Sequence, residues 1–329
     1  MSAIDRALGA LTGAALGDAL GMPTQDLSPE TIQADYGPID RFYPPGPHQV
    51  IAAGQPAGTV TDDTEQMVIV AELLAEGGPF DPVAFAHRLD RWEREMEARG
   101  SLDLLGPSTK AAIEAIRAGR PPAESGVGGI TNGAAMRAAP IGIACPPTSV
   151  SDLVDQTVAV CQVTHNSAPA MAAAAAVVGA VSAGVEGADR TEALELGLAV
   201  ARAAEAVAPP AVGPSFTARW QWARTYLGQV SDPARAAYDV VGTTVLATES
   251  VVVALALVEL EADPWTATCL AAGLGGDTDT IATIVGAIHG STSGVEAFPA
   301  SARAQLAEVN HLELDELARR LLVRRSTNS

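Results

Sequence analysis

Gly9, Gly13, Gly17 and Gly21 stand four residues apart within the segment Ile4 to Leu20, where Ile4, Leu8, Leu11, Ala15 and Ala19 recur near one face of a helix. Each glycine costs an isolated helix about 1 kcal/mol of propensity. A glycine face four residues in period lets a neighbouring backbone approach closely. The chain therefore starts with a helix built for close packing. The rest follows the same economy: apolar residues are 48% of 329, but aromatics only 4%, so the core is built mainly from Ala, Val, Leu and Ile.

Helical periodicity continues almost to the C-terminus. It predicts helices over Asp62–Glu76, Pro82–Glu97, Ser108–Ala118, Gly133–Ala139, Val150–Thr164, Ser167–Val185, Arg190–Ala206 and Asp232–Tyr238, then over Thr243–Glu261, Trp265–Ala272, Thr278–His289, Ala300–Val309 and Leu312–Val323. No run of alternating β-branched residues, strand–helix alternation, fixed-period repeat or low-complexity linker interrupts them. The reading is all-α: one compact multi-helix bundle over residues 1–324, with a short polar tail at 325–329. Met22 to Gly58, rich in Pro and Gly, reads as a long loop, of a kind that is usually functional or partly disordered. Ser167 to Gly184 is long and apolar, but mostly Ala; it reads as a buried helix, not a membrane span.

Twenty Lys and Arg face 39 Asp and Glu, a net charge of −19. Such a surface disfavours nucleic acid and anionic membranes as partners. Cys145, Cys161 and Cys269 are widely spaced and form no Cys-x-x-Cys pair; free thiols in a reducing cytoplasm are the expectation. No Gly-x-Ser-x-Gly elbow supports a serine hydrolase, and no strand precedes Gly273–Gly276 to support a dinucleotide fold.

Two clusters carry chemistry. Thr61-Asp62-Asp63-Thr64-Glu65 and Gly275-Gly276-Asp277-Thr278-Asp279-Thr280 each open an apolar helix. Capping alone accounts for either one; Asp62 with Glu65 even has capping-box spacing. Together they supply Asp62, Asp63, Asp277 and Asp279, more carboxylates than two caps need. Four carboxylates brought together repel unless protons or cations intervene. The donors are hard oxygens, including the hydroxyls of Thr61 and Thr280, which suits Mg²⁺, Mn²⁺ or Ca²⁺ and not Zn²⁺. Asn132-Gly133, after the Gly-rich Gly126–Gly129, reads equally as a ligand cradle or an ordinary helix start.

The chain resembles the ADP-ribosylglycohydrolase family over nearly its whole length. The likeness rests on Gly13–Gly21 with its Gly17-Asp18-Ala19-Leu20-Gly21, on Thr61-Asp62-Asp63-Thr64, on Asn132–Arg137, on Thr164-His165-Asn166 and on Gly275–Thr280, in the family's order. It implies an all-α fold with a binuclear Mg²⁺ or Mn²⁺ centre, with Thr61, Asp62, Asp63, Asp277, Asp279 and Thr280 as ligands. It also implies catalytic roles for Asp62, Asp63 and Asp279, and substrate contacts at Gln25, Asn132, Gly133, Arg137, His165, Gly275 and Gly276. Arg137 is expected as a phosphate contact or a salt bridge to the site's acids. The implied reaction cleaves a ribosyl glycosidic bond, releasing ADP-ribose from a modified protein or metabolite. A smaller ribosyl N-glycoside such as a nucleoside, or ADP-ribose binding without cleavage, are the alternatives.

One departure matters. Gln25 stands where family members commonly carry a Glu, and an amide transfers no proton at neutral pH. Either Asp26 or a metal-site carboxylate then does the acid–base work, or the substrate needs less help, or the loop is reshaped for a ligand other than an ADP-ribosylated protein. Of the remaining candidates, His289 is expected to be structural, His48 to touch substrate, and Glu249 to have a buried partner.

Overall fold

The computed structural model describes residues 1–100 and 105–327. Its helices are α1 (Ala3–Gly21), α2 (Pro29–Asp35), α3 (Asp62–Ala75), α4 (Pro82–Ala98), α5 (Pro107–Arg117), α6 (Pro122–Ser125), α7 (Gly133–Met136), α8 (Ala139–Ala144) and α9 (Val150–Cys161). There follow α10 (Ala168–Glu186), α11 (Arg190–Val207), α12 (Phe216–Leu227), α13 (Pro233–Ala236), α14 (Ser250–Leu260), α15 (Pro264–Ala272), α16 (Thr278–Ser293), α17 (Ala300–Asn310) and α18 (Leu314–Thr327). Among the described residues there is no strand; isolated bridges join Leu27 to Gly276, Val127 to Asn166 and Thr131 to Leu246.

The glycine face of α1 lies on α16, the most extensive helix pair among the described residues. A Cβ added at Gly13 would stand 2.1 Å from the Gly286 carbonyl oxygen, and one at Gly17 2.0 Å from that of Ala282. α16 answers in kind: a Cβ at Gly290 would meet the Gly9 oxygen at 1.9 Å. At the far end, a Cβ at Gly21 would collide with the backbone of Asp279. The ladder therefore fixes the end of α1 against the first turn of α16, where the second acidic cluster sits.

α10 is long and apolar enough to cross a membrane, but it is buried inside the bundle, with Ala170 to Val185 all covered. It packs on α8, α11 and α16.

The structure corrects several boundaries. The predicted helix over Thr243–Glu261 begins only at Ser250. Its first residues are drawn off by partners elsewhere: the carbonyl oxygens of Thr243 and Val245 accept from the N–H groups of Asp277 and Asn132, at 2.8 and 2.9 Å. The Gly133–Ala139 helix splits at Arg137, and α8 follows with Pro140 in its first turn. α2 lies within the predicted long loop, capped by Ser28 with Pro29 at its start. The 325–329 tail is not loose where it is described. α18 continues to Thr327, and buried Arg325 donates to the carbonyl oxygens of Gly142, Cys145 and Ser182 and to the Glu186 carboxylate. The last two positions of that predicted tail, 328 and 329, lie outside the described residues.

Candidate active site

Asp18 organises the first acidic cluster. This fully buried carboxylate accepts from the N–H of Thr61 at 2.9 Å, the N–H of Thr64 at 3.1 Å, and the hydroxyls of Thr61 and Thr64 at 2.8 and 2.5 Å. It thereby satisfies N–H groups that a helix start leaves open. The cap of α3 is Thr61, whose oxygen also accepts from Asp63 N–H at 3.3 Å. The capping box expected between Asp62 and Glu65 does not form; Glu65 turns to the indole N–H of Trp92.

The second cluster is aimed by its glycines. Gly275 and Gly276 have φ of +88° and +79°, a region costly for residues with a Cβ. The turn they make lets Gly276 exchange backbone bonds with Asp26 and Leu27, at 2.8 and 2.9 Å, which pins the 22–27 loop over the site. Thr24 adds a second anchor, donating to Ala272 O at 2.6 Å and lying 2.9 Å from the Thr278 hydroxyl. Gln49 donates to Gln25 O at 2.8 Å and accepts from Ile51 N–H at 2.8 Å.

Both clusters line one cavity of about 160 Å³, with Asp62, Asp63, Asp277, Asp279 and Thr280 in its wall. Gln25, Asp26, Asn132 and Gly133 also belong to that wall. Burial and the charges of Asp279, Asp62, Asp18 and Asp277 hold the Asp63 carboxyl well above the usual carboxylate range. Burial also pushes Asp277 up to about 6, against the opposing bond from the Asn132 amide. Burial likewise raises Asp18 to about 6, its Thr bonds limiting the rise. Among the described residues, no cationic side chain lines the cavity to offset this charge. Asp63 Oδ2 accepts weakly from Thr280 at 3.3 Å, while its buried Oδ1 has no hydrogen-bond partner among the described residues. A buried carboxylate oxygen without a donor is costly unless a cation meets it. Among the described residues no three Asp, Glu, His or Cys side chains form a ready-made metal cage. The carboxylates share a wall without being closed into a binuclear centre.

Other expected site residues lie behind this wall. Arg137 is buried and donates to Gln66 and Thr164, with its guanidinium 5.3 Å from the Phe85 ring centre. Gln66 in turn donates to Asp62 at 2.6 Å. Arg137 is not among the residues that line the cavity, and its hydrogen bonds reach Asp62 through Gln66. Burial, with the Arg137 charge, keeps His165 well below its ordinary 6.5, hence neutral. Its ring nitrogens lie 2.9 Å from the Thr131 hydroxyl and 2.8 Å from that of Thr164. Gly275 and Gly276 shape the turn and do not line the cavity, and Thr61 spends its hydroxyl on Asp18. Outside the site, His48 pairs with Asp35 at 2.9 Å, and Glu249, expected to have a buried partner, instead accepts from the exposed Thr244 hydroxyl at 2.6 Å.

Sequence reasoning alone does not single out Asp18, Gln49 or Gln66. Only Asp18 carries a signal there, as a carboxylate in an otherwise apolar, glycine-lined helix. Larger hollows lie nearby. One of about 550 Å³, walled by Ile32, Ile39, Trp265 and Leu274, is apolar and holds none of the clustered acids. Another, of about 430 Å³, adjoins the carboxylate cavity across Ile51 and Thr61.

The family model described as ADP-ribosylglycohydrolase matches residues 1–329. The uncharacterised Escherichia coli (strain K12) protein YegU is 36% identical over 320 residues, 95% of each chain. The Pseudomonas putida (strain GB-1) protein named ADP-ribosylarginine hydrolase Tri1 is 28% identical over 94% of this chain and 76% of its own. A solved structure titled ADP-ribosylglycohydrolase-related protein complex superposes with a TM-score of 0.74 at 27% identity, covering 98% of this chain and 99% of the other.

Proposed function

The chain belongs to the ADP-ribosylglycohydrolase family and is a glycosyl hydrolase, and on that premise we propose that it cleaves the bond between the ribose of an ADP-ribosyl group and its acceptor, a modified side chain or a metabolite, with help from divalent cations. The observation that carries the reading is the convergence of Asp62, Asp63, Asp277 and Asp279 on one cavity, with a buried Asp63 oxygen lacking any donor among the described residues.

The donor set fits Mg²⁺ or Mn²⁺: carboxylates and the Thr280 hydroxyl, without His or Cys. Asp62, Asp63, Asp277, Asp279 and Thr280 would hold the ions, and Thr61 supports Asp63 through its cap. A bound divalent cation supplies charge neutralisation and Lewis acidity toward hydroxyl oxygens. The chain's own groups do the rest. Gln66, braced by Arg137, orients Asp62. Asn132 orients Asp277, and Ser250 lies 2.8 Å from the same amide nitrogen. In this reading Asp62, Asp63 or Asp279 takes a proton from the attacking water, and the proton is returned to the departing nitrogen or oxygen as the glycosidic bond breaks through an oxocarbenium-like transition state. Gln25 offers its amide to substrate or water and carries no proton. Free thiols at Cys145, Cys161 and Cys269 fit a reducing compartment.

A second reading, a smaller ribosyl N-glycoside, draws on the 160 Å³ chamber and on Gln25. Single-turnover assays with ADP-ribosylarginine, ADP-ribosylserine and a nucleoside panel, each with Mg²⁺ or EDTA, separate the two. Release of ADP-ribose only with Mg²⁺ is the expected result. Turnover of nucleosides alone supports the second reading, and tight ADP-ribose binding without turnover of anything defeats both.

A further inference from the structure

A guanidinium only donates, so buried Arg137 fixes the direction of the hydrogen bonds that run on from it. It donates to the hydroxyl oxygen of Thr164 and lies 3.5 Å from His165 Nδ1. Thr164 therefore accepts from Arg137, and its own proton is left for His165 Nδ1 at 2.8 Å. With a hydroxyl and a guanidinium both turned toward it, Nδ1 is the accepting nitrogen. Burial keeps the ring neutral, so its one proton sits on Nε2. Nε2 stands 2.9 Å from the Thr131 hydroxyl and donates to it. Thr131 lines the carboxylate cavity, whereas Arg137, Thr164 and His165 lie behind its wall. The Thr131 oxygen is thus an acceptor within the protein, and no acceptor among the described residues takes its proton. That proton is left for whatever occupies the cavity.

We infer that Thr131 is a substrate-binding residue whose hydroxyl is presented as a donor to an acceptor oxygen of the bound substrate, and that Arg137, Thr164 and His165 are positioning residues that set this direction. The inference rests on the hydrolase reading above. A fixed donor matters in this wall, because Asp26, Asp62, Asp63, Asp277 and Asp279 crowd it with acceptors. The Thr280 hydroxyl and the Asn132 amide, in the same wall, spend protons on Asp63 and Asp277. The backbone around Thr131 is held on both sides: Ile130 O accepts from Ala247 N–H at 3.1 Å, and Asn132 N–H donates to Val245 O at 2.9 Å. Gly133 leaves room for the ring, since a Cβ there would stand 3.0 Å from His165 Cε1 and 3.2 Å from Nε2. Arg137 also donates to Gln66, and Gln66 to Asp62. One buried cation thereby sets an acceptor and a donor on the same cavity.

Histidine nitrogen NMR on the full chain near neutral pH, in EDTA and in Mg²⁺, reads the tautomer. The His165 signals are identified by their loss in His165→Leu or their shift in Thr131→Val. A neutral ring protonated on Nε2 is expected; a proton on Nδ1, or an imidazolium, overturns the relay. Calorimetry with ADP-ribose in Mg²⁺ reads the hydroxyl. Thr131→Val should weaken binding roughly 2- to 12-fold, the worth of one hydrogen bond. Thr131→Ser, which restores the hydroxyl, should recover most of that loss. In a His165→Leu background Thr131→Val should cost less, because the hydroxyl is no longer aimed. Unchanged binding by Thr131→Val, an equal loss in Thr131→Ser, or the same loss in both backgrounds overturns the inference. If His165→Leu fails to fold, the wild-type tautomer and the two Thr131 variants still decide. Wild-type binding keeps the two readings apart: its absence speaks against the ADP-ribosyl reading, and this inference falls with it, whereas binding that Thr131→Val leaves unchanged speaks against Thr131 alone.

Discussion

Replacing Asp18 by Asn tests whether a carboxylate on α1 sets the first turn of α3. In the folded protein its oxygens accept from the N–H groups and hydroxyls of Thr61 and Thr64. Asparagine keeps one acceptor oxygen and turns an NH₂ toward the Thr64 N–H. A buried donor left unsatisfied costs about 1–3 kcal/mol, and a weakened second bond adds about 1 kcal/mol, so a loss of roughly 2–4 kcal/mol is expected. The loss has a pH signature. Burial raises the folded carboxyl from its ordinary 3.8 to about 6, so Asp18 stabilises fully below 3.8 and progressively less up to about 6. The whole decline is about 3 kcal/mol, of which roughly 1 kcal/mol falls between pH 5 and 7. Urea unfolding of the wild type and Asp18→Asn, both in EDTA, should show the penalty shrinking by about that 1 kcal/mol from pH 5 to pH 7. A penalty that grows over the same range would mean that the anion, not the acid, is favoured in the fold, and the reasoning would fail.

Chelation should lower the melting temperature, and Mg²⁺ or Mn²⁺ at about 100 times its dissociation constant should return about 2.7 kcal/mol; Asp62→Asn and Asp279→Asn should shrink that gain, and an EDTA-insensitive melt would count against cation binding. Gln25→Ala should cost about tenfold or less in turnover, the worth of one neutral hydrogen bond, while Asp62→Ala should abolish it. Loss of all activity in Gln25→Ala with ADP-ribose still bound would assign Gln25 a role denied here. Burial lowers His289 from 6.5 to about 4, and neither ring nitrogen has a hydrogen-bond partner among the described residues. Its contribution is therefore intact above pH 6.5 and is lost as pH falls toward 4, by about 3 kcal/mol. His289→Leu should flatten that part of the stability profile, and an unchanged acid slope would refute the assignment.

What the sequence made legible was local. Asp62, Asp63, Asp277 and Asp279 announce themselves because each cluster opens an apolar helix, and the α1 glycines do so because their period is that of a helix face. The direction of a side chain is not local. Arg137 directly follows cavity-lining Met136, yet Phe85 from α4 and Gln66 from α3 draw its guanidinium behind the wall. Thr243 to Val245 have good helical pattern, but their carbonyl oxygens serve Asn132 and Asp277, residues distant in the chain on either side. No periodicity within the segment carries that competition. Asp18 lies between these cases. A carboxylate flanked by Gly17 and Ala19 inside a close-packed helix face cannot be solvated, so something must donate to it. The same sequence places Thr61 and Thr64, with their open N–H groups and hydroxyls, at the start of α3. The glycine ladder locks α1 to α16 and Asp18 locks α1 to α3, so one helix holds both acidic clusters at a common cavity.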